Sequence, residues 1–487
     1  MNDFSGRRVL IMGLGLHGGG LESAKYLARH GAELTVTDLR DEKTLAPSVE
    51  KLEAAEGVPA ARIRYVLGRH ETADFERADL VIKNPGVSPD SPFLRAARRV
   101  ETDISIFLAG SPARLTAVTG SKGKSGTASA LHWVLSRARA PQAGTPGRAW
   151  LGGNITVSPL SFLDQLGADD DVVLELSSWQ LGDLRGRRDD GGGALLKPRC
   201  AVITAIMPDH LDRYGSMDAY VDDKRVIYQG QGREDATVAG RDPWGRSFLA
   251  ESRGRPLGYG DEEPEPGAGG GWIAGKDGPG LARFYGGPAI GRGLAAGETV
   301  ELVPAELRVP GRHQKRNLLA AALALLDLGL PAESVREGLG SFPGIEHRLE
   351  FFHERRGLRF YNDTAATIPE AAAAAVAAFE GRGRLLLLAG GSDKGLDLEA
   401  LIGAAGQAGE LFLLAGTASE RLAASLAGRG IPFRGPFDSM EAAVRAILER
   451  ARPGDIAVLS PGCASFGMFL NEFDRGAQWK EAVRRLA

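Results

Sequence analysis

The segment LTAVTGSKGKSGTASALHWVL, residues 115–135, narrows what this chain can become more than any other. It reads as a short apolar strand, a glycine-rich bend and an amphipathic helix. The bend carries Gly123-Lys124-Ser125, the ending of a phosphate-binding loop. A full Walker pattern needs another glycine five residues before Gly123, where Val118 stands. Gly120 and Gly123 still allow a bend tight enough for successive N–H groups to face one anion. Lys124 would reach the β- and γ-phosphates, and the Ser125 hydroxyl would face Mg²⁺. The strand before and the helix after argue against a mere solvated turn. Alone, the segment points to ATP or GTP.

A second bend, Gly13-x-Gly15-x-x-Gly18, follows the strand of RRVLIMGLG and opens another helix. Asp38 ends the next strand, where a dinucleotide fold places its ribose acid. The pattern suits a diphosphate-bearing ligand, because small residues let a phosphate approach backbone N–H groups. An NAD-dependent oxidoreductase and a ligand-free turn are the competing readings.

At about 150 residues per domain, 487 residues predict roughly three domains. A net charge of −3 argues against nucleic acid or an anionic membrane as the main partner. Two distant cysteines, Cys200 and Cys463, form neither a metal spacing nor a disulfide framework. MNDFSGRRVLIMGLG enters the first strand without an apolar leader, and no stretch reaches membrane-spanning length. A cytoplasmic protein is expected.

Strand and helix patterns alternate, predicting an α/β chain of parallel sheets covered on both faces. DLVIKNPGVS, DVVLEL, CAVITAI, LLLLAGG, LFLLAG and IAVLSPG read as strands, and GRHQKRNLLAAALALLDLGL as a long helix. The Gly-, Pro- and acid-rich stretch 257–292 reads as an exposed excursion or hairpin insertion. Expected boundaries are 1–110, 111–342 and 343–487.

Glu175 falls at the end of a buried-looking strand and His210 after the next, a possible shell for Mg²⁺. From spacing alone, Lys224 in YVDDKRVIYQ reads as a solvent-facing helix lysine.

TGSKGKSGT, ELSSWQL, PDHLDRYGSMDAYVDDKRVIY, GRHQKRNLLAA, GIEHRLE, YNDTAAT and SPGCASF stand in the order found in the Mur ligases, so the chain resembles that family over nearly its whole length. ELSSWQL and SPGCAS most resemble its glutamate-adding branch. The resemblance implies a Rossmann-like UDP-substrate domain, a P-loop ATPase core and a Rossmann-like C-terminal domain that binds the amino acid and closes over the reaction. It also implies a short phosphate loop, so the missing glycine is no objection. Here GSKGKSGT departs from the usual Gly-Thr-Asn-Gly-Lys form and inserts Gly126 before Thr127; altered packing is expected, with ATP binding kept.

The implied activity is peptidoglycan-precursor ligation: ATP phosphorylates the carboxylate of UDP-N-acetylmuramoyl-L-alanine, and the glutamate amine displaces phosphate. By resemblance, Gly120, Ser121, Lys122, Gly123, Lys124, Ser125 and Gly126 hold ATP, with Asn317 at adenine and with Arg348 and Asp363 from the third domain. Lys124, Glu175, His210 and Lys224 are the implied catalytic set. Ser125 and Glu175 would hold one Mg²⁺; His210 and a carbamylated Lys224 would serve a second. Gly15, Leu16, His17 and Gly18 would meet the UDP diphosphate, and Asp38 and Arg40 the uridine. Asn84 and Gly86 would assist, and Asn154 would touch the sugar-peptide. Thr367, Lys394, Ser465 and Phe466 match the glutamate-binding positions. A monomer acting on small molecules is expected.

The glutamate pocket departs from the family pattern. Ala365 replaces a lysine, Gly467 an aspartate, Leu470 a lysine and Glu472 a phenylalanine, with Phe473 one place further on. Removing cations and adding an anion must alter how a dianionic amino acid is held. Both hands of glutamate therefore stay open, with L-glutamate the sharper alternative. Cys463 reads as packing, since acyl-phosphate chemistry needs no thiol.

Overall fold

The computed structural model describes residues 4–16, 18–140, 146–155, 157–265, 268–275, 278–285 and 296–487, with the side chains of Leu211 and Asp212 set aside. They form two compact units, Met1–Ala305 with Arg316–Leu339, and Glu306–Lys315 with Gly340–Ala487. Among them, no helix is long and apolar enough to cross a membrane.

The first unit holds two sheets. β1 (Arg8–Met12), β2 (Glu33–Asp38), β3 (Ile63–Leu67), β4 (Leu80–Lys83) and β5 (Val100–Glu101) pair in the order β3-β2-β1-β4-β5, all parallel. The second sheet contains β6 (Arg114–Thr119), β7 (Ala149–Gly153), β8 (Asp171–Glu175), β9 (Cys200–Ile203), β10 (Ala236–Gly240), β11 (Arg255–Gly260), β12 (Gly270–Ile273), β13 (Gly280–Arg283) and β14 (Thr299–Val303). Their order is β14-β13-β12-β11-β10-β9-β6-β8-β7. The central strands are apolar runs buried along their length, as both-faces-covered parallel strands must be. Sheet order reverses at β1 and at β6, so each has a crevice at its carboxyl end.

Of the two expectations for the Gly-rich stretch, the hairpin is the one found, but it is not exposed: β12 and β13 form an antiparallel hairpin that extends the sheet to β14, with Trp272 and Ile273 buried. Its glycines serve close packing, because a Cβ on Gly280 would lie 2.9 Å from Val303 Cβ. The helix Arg312–Asp327 buries the whole run Leu318–Leu326 on every side, more than a single apolar face.

Buried contacts join the first two sheets. Phe107 meets Phe162 edge-on at 5.9 Å. Lys83 of β4 pairs at 2.8 Å with Asp183 of the helix Ser178–Leu184, both nearly enclosed.

The second unit is built on β15 (Glu350–Arg355), β16 (Leu358–Asn362), β17 (Leu385–Ala389), β18 (Glu410–Leu414), β19 (Arg434–Phe437) and β20 (Ile456–Leu459), in the order β15-β16-β20-β17-β18-β19. β15 runs antiparallel to β16, and the others are parallel. The buried Arg475 guanidinium sits behind this sheet and donates to Thr364 O at 3.0 Å, Thr364 Oγ1 at 3.1 Å and Cys463 O at 3.1 Å.

Breaking one half of a buried ion pair strands the other charge. Lys83→Met is expected to cost about 3 kcal/mol, read as a lower urea midpoint of the intact chain. Adding Asp183→Leu should recover most of that loss.

Candidate active site

The phosphate loop follows β6, whose apolar residues Ala117 and Val118 are buried between β8 and β9. Val118 therefore belongs to the strand, and the bend is made by Gly120 and Gly123 alone. Gly120 has φ +146°, and a Cβ there would stand 1.9 Å from Thr204 Oγ1. Gly123 has φ +95° and caps the helix Lys124–Ala138; a Cβ there would stand 2.3 Å from Asn317 Oδ1. Thr204 Oγ1 lies 2.7 Å from Lys122 O and 3.1 Å from Thr119 O, while Ser121 N donates to Ala205 O at 2.8 Å. Ser121 Oγ also meets Tyr220 OH at 2.9 Å. The loop is thus pinned by its neighbours. No side chain caps the helix start, so its first N–H groups are left for an anion.

Gly126 is buried within the helix, and Thr127 Oγ1 lies 3.4 Å from Asn317 O. Ser125 is half-buried one residue into the helix, and the Lys122 side chain is exposed, 3.5 Å from Asp209.

Two lysines converge on one oxygen. Lys124 Nζ donates to Gly120 O at 2.9 Å and to Ser121 O at 3.0 Å, and Lys224 Nζ donates to Gly120 O at 2.8 Å. Burial, reinforced by Lys124, pushes the Lys224 ammonium down to about 7. Burial also lowers Lys124, against the pull of Glu175 and Asp209. The solvent-facing expectation for Lys224 is wrong: only 1% of it is exposed. The sequence carried a sign of this. On the helix Met217–Gln229, Lys224 stands four residues after Tyr220 and three before Ile227, in the stripe that packs inward.

Glu175 ends β8 at 1% exposure. Its Oε1 accepts from Asn154 Nδ2 at 3.0 Å, while Oε2 has no hydrogen-bond partner among the described residues. An orphaned buried carboxylate oxygen is costly, and a hard cation would satisfy it. His210 has φ +54°, and its half-exposed ring lies 5.1 Å from Trp179 and 6.4 Å from Tyr220.

The first glycine loop uses the crevice after β1. Gly13 and Gly15 have positive φ, and Gly18 opens the helix Gly19–Arg29 without a side-chain cap. Asn84 Nδ2 donates to Gly13 O at 3.2 Å. Asp38 accepts from Gly15 N at 3.1 Å and Arg40 N at 2.9 Å, so its carboxylate knits the loop together. Leu16 and Leu39 are exposed beside it; His17 lies outside the described residues. One cleft of about 760 Å³ is lined by Gly15, Leu16, Asp38, Arg40, Asn84 and Gly86, and also by Asn154, Lys124, His210 and Lys224.

In the second unit, three loops meet after the neighbouring strands β16, β20 and β17. Ser392 N donates to Ala464 O at 2.9 Å and Ala464 N to Ser392 O at 3.2 Å. Gly462 N donates to Ala366 O at 2.8 Å. These bonds bring together the loops of Thr367, Lys394, Ser465 and Phe466. Lys394 and Phe466 are exposed, Thr367 is half-buried and Ser465 is buried. Asp363 accepts from Leu349 N at 3.1 Å and Ser460 Oγ at 2.6 Å, and burial lifts its carboxyl to about 6. Arg348 is exposed between His347 and Leu349, both in the left-handed region, where non-glycine residues carry strain. Residue spacing gave no sign of that kink.

Residues 118–325 match the Mur ligase middle domain, 347–463 the Mur ligase glutamate ligase domain, and 7–106 the MurD-like N-terminal domain. The chain is 40% identical to a UDP-N-acetylmuramoylalanine–D-glutamate ligase of Treponema pallidum, covering 98% of each chain. It belongs to the Mur ligase family. A protein of the same name from Roseiflexus sp. is 39% identical over 99% of this chain and 98% of that one. The Mur ligase fold is also that of UDP-N-acetylmuramate-alanine ligase MurC from Thermotoga maritima, with TM-score 0.53 at 18% identity over 99% of this chain and 100% of that one. Membership in this ligase family sets aside the oxidoreductase reading.

In this Mur ligase the depressed Lys224 has a measurable consequence. An unfolded lysine titrates near 10.4, so between about 7 and 10.4 the unfolded chain binds the extra proton. Stability from this residue should therefore rise with pH across that window and level off above it. Lys224→Met should flatten the slope between pH 7 and 9 in bicarbonate-free denaturation; an unchanged slope would contradict the burial argument.

Proposed function

We propose that this Mur ligase joins D-glutamate to UDP-N-acetylmuramoyl-L-alanine with cleavage of ATP to ADP and phosphate, in peptidoglycan precursor synthesis. The observation carrying this reading is the single cleft that links a diphosphate-type glycine loop to a lysine-bearing phosphate loop. The D enantiomer is supported by the D-glutamate ligases at 40% and 39% identity.

A carboxylate is a poor electrophile, so the terminal alanine carboxylate first takes the γ-phosphoryl group. The amine of glutamate then attacks the acyl phosphate, and the tetrahedral intermediate expels phosphate. Lys124 and the free N–H groups at the start of its helix neutralise and orient the phosphates, which is most of what phosphoryl transfer requires. Asn317, packed on Gly123, is the proposed adenine contact. Gly15, Leu16 and Gly18 meet the diphosphate, Arg40 the uridine, and Asn84 and Asn154 the ligand between the loops. Lys394 and Ser465 hold the glutamate carboxylates, with Thr367 and Phe466 beside them.

Ser125 and Glu175 fit one Mg²⁺, and His210 with Lys224 a second. Bound there, the ions would screen charge on the phosphates. Asn154 holds one oxygen of the Glu175 carboxylate and leaves the other without a partner among the described residues. Carbamylation of Lys224 suits its surroundings: near pH 7 much of the amine is neutral, and conversion to an anion relieves the crowding with Lys124. A monomeric, cytoplasmic enzyme completes the proposal.

The test is phosphate release from ATP in the presence of UDP-N-acetylmuramoyl-L-alanine and each glutamate enantiomer separately. Turnover should favour D-glutamate by at least about 100-fold, and EDTA should abolish it. Lys124→Met should lower kcat by at least about 100-fold. Preference for L-glutamate would reverse the assigned hand, and amide formation without ATP would remove the mechanism.

A further inference from the structure

The wall of the cleft holds a carboxylate that the steps above leave idle. Asp103 is the first residue of the helix Asp103–Gly110 and is only 7% exposed. It borders the small void beside Gly13, Gly19 and Asn84, and with Ser158 it also lines the main cleft. One carboxylate oxygen accepts from Ile104 N at 2.8 Å; the other accepts from Ser158 Oγ at 3.1 Å. No Lys, Arg or His pairs with it among the described residues.

Such a group should be costly, since buried charges are ordinarily paired. Burial lifts its carboxyl to about 6, leaving it mostly ionised at neutral pH. The positive end of its own helix offsets part of the cost. An ionised carboxylate offers about four acceptor positions, and these contacts occupy only part of that capacity. Ser158 is buried too and spends its one hydroxyl proton on Asp103, so its oxygen keeps acceptor capacity of its own. The pair therefore presents acceptors to the cleft and repels anions. A diphosphate belongs at the glycine loop and a reacting carboxylate at Lys124; what suits Asp103 is a neutral stretch bearing O–H and N–H donors.

We propose that Asp103, oriented by Ser158, is an acceptor subsite for the hydroxyl and amide donors of the amino-sugar and alanine portion of the substrate. This rests on the proposed function and adds the group that reads the middle of the ligand. It also separates a sugar-peptide nucleotide from a bare one, because UDP has no donors beyond the diphosphate to offer.

Calorimetric titration of the intact chain with UDP and with UDP-N-acetylmuramoyl-L-alanine tests the assignment. Asp103→Asn should weaken the sugar-peptide nucleotide about tenfold, or about 1.4 kcal/mol. Ser158→Ala should weaken it about threefold, and UDP should change by less than about twofold in either variant. Unchanged affinity in Asp103→Asn, or equal losses for both ligands in the milder Ser158→Ala, would overturn the subsite. A wild-type chain that binds neither nucleotide would instead overturn the proposed function beneath it.

Discussion

The carbonyl oxygen of Gly120 receives hydrogen bonds from two lysines, and that crowding organises the phosphate-loop end of the cleft. Ammonium groups repel, and both are buried enough to lose much of their hydration. Such an arrangement is held together only because the loop cannot yield. Thr204 fills the space where a Gly120 side chain would stand, and Asn317 does the same at Gly123. With the carbonyls occupied by Thr204 and the lysines, the remaining backbone groups facing outward are donors. An entering polyanion therefore meets positive charge and free N–H groups already in place, with little reorganisation left to do.

The two glycine loops solve different problems with similar backbone. After β1, the carboxylate of Asp38 is consumed by the loop itself, through Gly15 N and Arg40 N. A carboxylate spent in this way braces the turn and leaves the uncapped start of the following helix as the feature attractive to a diphosphate. After β6, lysines do the bracing, so the same geometry gains charge. That difference separates a loop suited to holding a phosphate group from one suited to transferring it.

Much of this was legible in the chain. The glycine bends, the apolar parallel strands and the carboxylate ending DVVLE are local patterns, and the two bends follow β1 and β6, where sheet order reverses. Lys224 was misread because helix spacing was weighed without its neighbours: a lysine in the inward stripe is rare, and only the fold shows that its head reaches Gly120. The hairpin Gly270–Arg283 was among the expectations, but its burial was not, because glycine usually signals an exposed loop; here it lets the strand approach Leu319 and Val303. Asp103 was invisible for a simpler reason. Its partner Ser158 is 55 residues away, brought near by the junction of two sheets.

The departures from the family pattern in the turn beside the proposed glutamate site have local causes. Gly467 has φ +95°, a conformation that would strain the aspartate found there in the family pattern. Glu472 opens the helix Glu472–Leu486, where a carboxylate is favoured by the helix dipole, and its carbonyl accepts from Thr364 Oγ1 at 2.7 Å. Leu470 is 85% exposed, and Phe473 turns its ring to His347 at 5.3 Å. By contrast, the loops of Lys394 and Ser465 are fixed to each other by the paired bonds between Ser392 and Ala464, at the ends of adjacent strands. A turn can drift in sequence while strand-anchored loops keep their spacing. If the proposed glutamate site is right, substitutions at 467, 470 and 472 should therefore weigh less on the hand of the amino acid than the retained Lys394 and Ser465 do.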